Sequence, residues 1–130
     1  MKKILLALLV TVMTASGLRA QQKTEPLKEP AFNKIENKII DTIANLAEVK
    51  ERAGYVEKQS RGKRHLVYTI YQKPVKAIPY YWIKVWEDNG SAYVTHFNFY
   101  VYPKTFLIKY LDTANDKVID LETWREKRND

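Results

Sequence analysis

Residues Tyr80 to Leu111 read YYWIKVWEDNGSAYVTHFNFYVYPKTFLIKYL. Side-chain character alternates with period two, aromatic and β-branched residues dominate, and turn chemistry interrupts the run twice, which is the pattern of three neighbouring antiparallel strands. At the first interruption, Asp88-Asn89-Gly90-Ser91, Asn89 and Gly90 can adopt the positive φ angles of a two-residue type I′ turn. Pairing Asp88 with Ser91 predicts Trp86 opposite Tyr93, Lys84 opposite Thr95, Trp82 opposite Phe97 and Tyr80 opposite Phe99. The second interruption, Tyr102-Pro103-Lys104-Thr105, sets Val101 against Phe106, Phe99 against Ile108 and Phe97 against Tyr110.

These registers predict two faces. One carries Tyr80, Trp82, Trp86, Phe97, Phe99, Val101, Phe106, Ile108 and Tyr110 and is apolar enough for a core. The other carries Tyr81, Ile83, Val85, Val94, His96, Asn98, Tyr100, Tyr102, Leu107 and Lys109, half polar and rich in tyrosine. A one-residue slip exchanges the faces wholesale, so the register is strongly specified wherever one face is buried.

Upstream, Phe32, Ile35, Ile39, Ile40, Ile43, Leu46 and Ala47 recur at spacings of three and four, with charged residues between them. The spacing predicts one amphipathic helix over residues 31 to 52, with Pro30 at its first position and Gly54 just past its end. A helix of that length is ~33 Å long, enough to cross a four-stranded sheet. Leu66, Tyr68 and Ile70 alternate with His65, Val67, Thr69 and Tyr71 as the first long strand, and Tyr55 to Gln59 can add a short one beside it. Pro74 and Pro79 make Gln72 to Pro79 a connection, since proline cannot donate to a central ladder. Val118 and Ile119 form a last short strand, Asp120 is placed to cap a closing helical turn, and Trp124 folds back onto the sheet rim. The fold class is α+β: one long N-terminal helix packed across an antiparallel four- to five-stranded β-meander, a two-layer sandwich.

The chain has 130 residues, a net charge of +7, no cysteine and 45% hydrophobic residues, which suits one small domain with a real core and no disulfide staple. Met1 to Ala20 is a different kind of segment. Lys2 and Lys3 precede the apolar run Ile4 to Met13, and small residues follow at Ala15, Ser16, Gly17 and Ala20, as in a secretory signal peptide. The run is too short for a stable membrane anchor after cleavage. Residues 21 to 30 read as a flexible leader and 31 to 130 as a single α+β domain, periplasmic or secreted. Without Met1 to Ala20 the chain keeps 19 basic and 15 acidic residues, the excess lying mostly at Arg61, Lys63, Arg64, Arg125, Lys127 and Arg128. An exported chain with so modest an excess is not expected to bind nucleic acid.

No catalytic residue is assigned. His65 and His96 are the only histidines, neither flanked by a nucleophile with an obvious base, and no zinc ligand set exists. Asp112, Asn115 and Asp116 fail as a calcium loop, because Ala114 stands at a ligand position and Lys117 replaces the required glycine. No metal or cofactor is expected. The candidate surface is the second face, where Tyr81, Ile83, His96, Asn98, Tyr100, Tyr102 and Lys109 would meet a protein partner, tyrosine being favoured at such contacts. In an alternative reading the sheet curls, and Trp82, Trp86, Tyr93 and Phe97 line a small-ligand pocket under the helix.

The order signal peptide, helix and meander, ending in FYVYPKTFLIKYLDTANDKVIDL, resembles small exported PepSY-like and cystatin-like proteins, which place a helix on an antiparallel sheet. The protease-inhibiting Q-x-V-x-G hairpin of cystatins has Gln72-Lys73-Pro74-Val75-Lys76-Ala77 as its nearest text here, one residue longer and without the glycine. The expectation is a non-enzymatic exported binding module, an inhibitor or modulator of an envelope or secreted enzyme. A periplasmic immunity protein would present the same pattern.

Overall fold

Helix α1 (Lys34–Ala44) starts where Asn33 provides a capping box: its side chain accepts from the Glu36 N–H at 2.9 Å, and the Glu36 carboxylate accepts from the Asn33 N–H at 3.0 Å. The computed structural model that gives this architecture describes residues 31–130, which form one compact unit. The signal segment, the leader and the expected helix start at Pro30 lie outside the described residues.

The single helix expected over residues 31 to 52 is two helices. Asn45 ends α1 with φ −90° and ψ −2°, its Nδ2 donating to the Asp41 carbonyl at 2.8 Å. Leu46 is extended, and α2 runs Ala47–Gln59. Apolar spacing carries through this joint and hides it, whereas the asparagine amide satisfies a helix-end carbonyl locally. Gly54 therefore lies inside α2, and Tyr55 to Gln59 are helical, not a strand. The true stop comes at Ser60, where Arg61 (φ 54°) and Gly62 (φ 77°) turn left-handed. The Gly62 N–H reaches the Glu57 carbonyl at 2.8 Å and the Arg61 N–H the Lys58 carbonyl at 3.2 Å, a Schellman closure.

Five antiparallel strands follow as a meander in spatial order β1-β2-β3-β4-β5: β1 (Val67–Gln72), β2 (Tyr81–Asp88), β3 (Tyr93–Tyr102), β4 (Leu107–Asp112) and β5 (Lys117–Asp120). Helix α3 (Leu121–Asn129) continues from β5 and packs on β4 and β5.

Both tight turns are longer than expected. Asp88 pairs with Tyr93, so Asn89 to Ala92 form the loop. There the Asn89 Oδ1 accepts from the N–H groups of Ser91 and Ala92 at 3.0 and 2.8 Å, and the Asp88 Oδ1 from Gly90 at 2.9 Å. Such side-chain turns hold a wider loop than the backbone of Asn-Gly alone. Tyr102 likewise pairs with Leu107, with Phe106 left-handed at φ 55°.

A slip of two residues preserves faces, so β4 and the part of β3 from Phe97 onward keep theirs. A third residue of slip enters between Trp86, opposite Thr95, and Val85, opposite Phe97: His96 is the extra residue of a β-bulge. Because β2 alternates without a break, both of its faces are the reverse of those expected, and so is the start of β3, where Val94, opposite the buried Glu87, and His96 lie on the helix side. Tyr81, Ile83 and Val85 join Phe97, Phe99 and Val101 under the helices, while Trp82, Lys84 and Trp86 take the other side.

The core unites Ile39, Ile43 and Val49 of the helices with these six strand residues and Trp124. Trp124 does not stop at the rim. It stacks on Tyr110 at 4.3 Å and sets its edge against Phe97 and Phe99, both at 5.8 Å. Arg125 ties α3 to α2 through Glu48, whose carboxyl it holds below the ordinary glutamate value, mainly by hydrogen bonding.

Candidate binding face

The face away from the helices is an aromatic sheet surface. Tyr71 meets Trp82 edge-on at 4.5 Å, Trp82 meets Tyr100 at 5.8 Å, and Tyr80 stacks on Tyr100 at 4.0 Å with Tyr102 5.5 Å away. Trp86 pairs with Tyr93 at 5.2 Å. Strand periodicity brings them together, since alternate residues of β1, β2 and β3 point the same way.

The two indole N–H groups are satisfied within the face. The Trp82 Nε1–H donates to the Asn98 Oδ1 and the Trp86 Nε1–H to the Thr69 Oγ1, each at 2.9 Å. Lys84 sits over the rings of Tyr71 and Trp82, 3.6 and 5.2 Å from their centroids, a cation–π arrangement. Burial, aided by hydrogen bonding with Tyr80, pushes the Tyr100 hydroxyl up to about 12, so it stays neutral. Lys109, opposite Tyr100, reaches Asp120 at 3.3 Å.

Of the residues expected on this face, Asn98, Tyr100, Tyr102 and Lys109 are here. Tyr81 and Ile83 are not: the bulge turns them to the helix side, where Ile83 has 0% of its surface exposed. His96, the bulge residue, is withdrawn too, its Nε2 lying 2.9 Å from the Glu87 Oε1 on the helix side. The ligand-pocket set is divided by the sheet. Trp82, Trp86 and Tyr93 belong to the open face and Phe97 to the core, so the four line no common cavity. Tyr71, Tyr80, Lys84 and Thr69 were missed. The alternation of Val67, Thr69 and Tyr71 was visible, but no register tied β1 to the hairpin.

Glu87 forms a second cluster. Its two oxygens are taken by the Arg64 Nη1 and the His96 Nε2, both at 2.9 Å, and its side chain is 8% exposed. With both oxygens engaged, the carboxylate ties the α2–β1 connection to the bulge and offers no free base. Among the described residues, no group of three or more His, Cys, Asp or Glu is disposed to hold a metal ion, and no helix is long and apolar enough to cross a membrane.

No family model matches this sequence, and neither the curated proteins nor the solved structures compared with it returned a match.

Proposed function

We propose that this chain is an exported, non-enzymatic binding module that engages a protein partner through the open aromatic face, as a modulator of an envelope or secreted enzyme. The observation that carries the reading is the continuous surface of Tyr71, Trp82, Tyr80 and Tyr102, packed around the buried Tyr100 and left without a covering layer among the described residues. Aromatic rings held in place by contact with one another present large area at little entropic cost, which favours protein contact. The signal-like Met1 to Ala20 supports export.

The test is size-exclusion chromatography of the protein with secreted and periplasmic enzymes, repeated with Trp82→Ala and Tyr102→Ala. A co-eluting partner that both variants lose, with circular dichroism unchanged, is the expected result. A partner that both variants retain would remove the open face from the reading.

A further inference from the structure

The two edges of the sheet are not protected alike. β5 is four residues long, has Lys117 and Asp120 at its ends and leads directly into α3. Short charged edges of this kind discourage strand addition.

β1 is different. It has six residues, V-Y-T-I-Y-Q, with no charge and no proline, and among the described residues β2 is its only strand neighbour, paired regularly from Val67 to Ile70 with a register shift at Tyr71. Its outer side offers main-chain N–H and C=O groups along ~20 Å. Val67 and Tyr71 are exposed beside it.

The flanks of this edge are basic. Arg61 and Lys63 precede β1, Lys76 follows it, and Lys84 lies one strand inward, opposite Thr69. Among the described residues none of these four has an acidic partner at ion-pair distance, whereas Arg64 and Lys73 are held by Glu87 and Glu36.

We propose that the free edge of β1 accepts an extended acidic segment of a partner protein as a sixth strand. The segment has a β-branched core about as long as β1, with Asp or Glu at both ends. Main-chain pairing along β1 supplies affinity, and the cations at either end select acidic flanks. A second copy of this chain fits poorly. Antiparallel pairing of two β1 strands would bring the unpaired Lys63 of one against the unpaired Lys76 of the other at both ends, and like charges repel. The edge adjoins the open aromatic face at Tyr71 and Lys84, but it recognises a partner through main-chain groups of β1 and not through the rings of Trp82, Tyr80 and Tyr102.

The experiment uses the purified protein and a fluorescent peptide with an alternating Val-Thr core and aspartates at both ends, read by anisotropy and by amide exchange. Expected are binding that weakens with added salt and new protection at Val67 to Gln72. Two control peptides, one N-methylated at alternate amides and one with lysine ends, should each bind about tenfold more weakly or worse. The double variant Lys63→Glu/Lys76→Glu should lose a similar factor with its thermal midpoint unchanged. Equal binding of the N-methylated peptide would reduce the effect to charge alone and overturn the proposal. So would a complete lack of binding, or protection confined to Trp82, Tyr100 and Tyr102, which would instead favour the open face. A dimer that Thr69→Pro dissolves would assign the edge to a second copy and equally overturn it.

Discussion

Ile83 and Lys84 are neighbours in β2 and opposites in surroundings. Ile83 is fully buried beneath the helices, whereas Lys84 lies over the rings of Tyr71 and Trp82 on the open side. The contrast holds across the sheet. The covered face takes its fully buried strand residues from Val, Ile and Phe, with Tyr81 and Tyr110 packed beside them, and its buried carboxylate, Glu87, is held by Arg64 and His96. The open face uses Trp and Tyr, whose tips bond to Asn98 and Thr69 or reach water. Hydrophobic area on the first face is spent on stability, while on the second it remains available to a partner.

The most severe way to break this contrast is to exchange Ile83 and Lys84. The double variant Ile83→Lys/Lys84→Ile puts a charge where Ile83 has 0% of its surface exposed and removes the cation from the rings of Tyr71 and Trp82. The expected outcome is loss of the cooperative urea transition, and a double variant as stable as the parent would disprove the assignment of the two faces of β2.

Next comes truncation on the two faces. Phe99→Ala should lower stability by ~3–5 kcal/mol, because Phe99 is wholly buried against Trp124 and Tyr110. Tyr102→Ala on the open face should cost about 1 kcal/mol or less and act on binding instead. Equal costs in denaturant melts would erase the distinction between faces.

Glu87→Gln should be intermediate, at about 1–3 kcal/mol, since a neutral amide answers Arg64 and His96 less well and Arg64 is partly in water. Urea midpoints measure it.

Acid tests the helix layer. Lys73, chiefly by its hydrogen bond, holds the Glu36 carboxyl below the ordinary glutamate value, and Arg125 does the same for Glu48. A lowered folded-state value means that the stabilisation is fully present above the unfolded value and is lost as the pH falls through the folded one. Thermal midpoints should therefore drop as pH goes below the ordinary glutamate range, and less steeply in Glu36→Gln. A midpoint independent of pH there would contradict both ion pairs.

The smallest effect is a control on the covering layer. Gly54 lies within α2, and a Cβ there meets nothing within 4 Å. Gly54→Ala should stabilise by ~0.5–1 kcal/mol in the same melts without touching either face.

Strand identity was legible because alternation and turn residues are local. Phe97, Phe99, Ile108 and Tyr110 were read on their true side even though the β3–β4 loop is two residues longer than expected, since an even slip keeps faces. Two features were not legible. Asn45 looks like any polar residue on an amphipathic helix, and its role at the α1–α2 joint emerges only from the backbone, where it and the extended Leu46 separate the buried Ile43 from the buried Val49. His96 looks like an ordinary strand residue, and nothing near it marks a bulge.

The candidate face suffered from that second omission. Asn98, Tyr100, Tyr102 and Lys109 belong to β3 and β4, on the near side of the error, and were correctly grouped. Tyr81 and Ile83 belong to β2, across the bulge, and were misplaced.

From residue order alone followed the class of fold, the meander and the apolar character of β3, because periodicity and turn chemistry act over a few residues. Which side of β2 faces the helices depended on packing: one extra residue reverses a strand of period two, and the competition between burying Ile83 and burying Trp82 is settled only when helices, bulge and sheet come together.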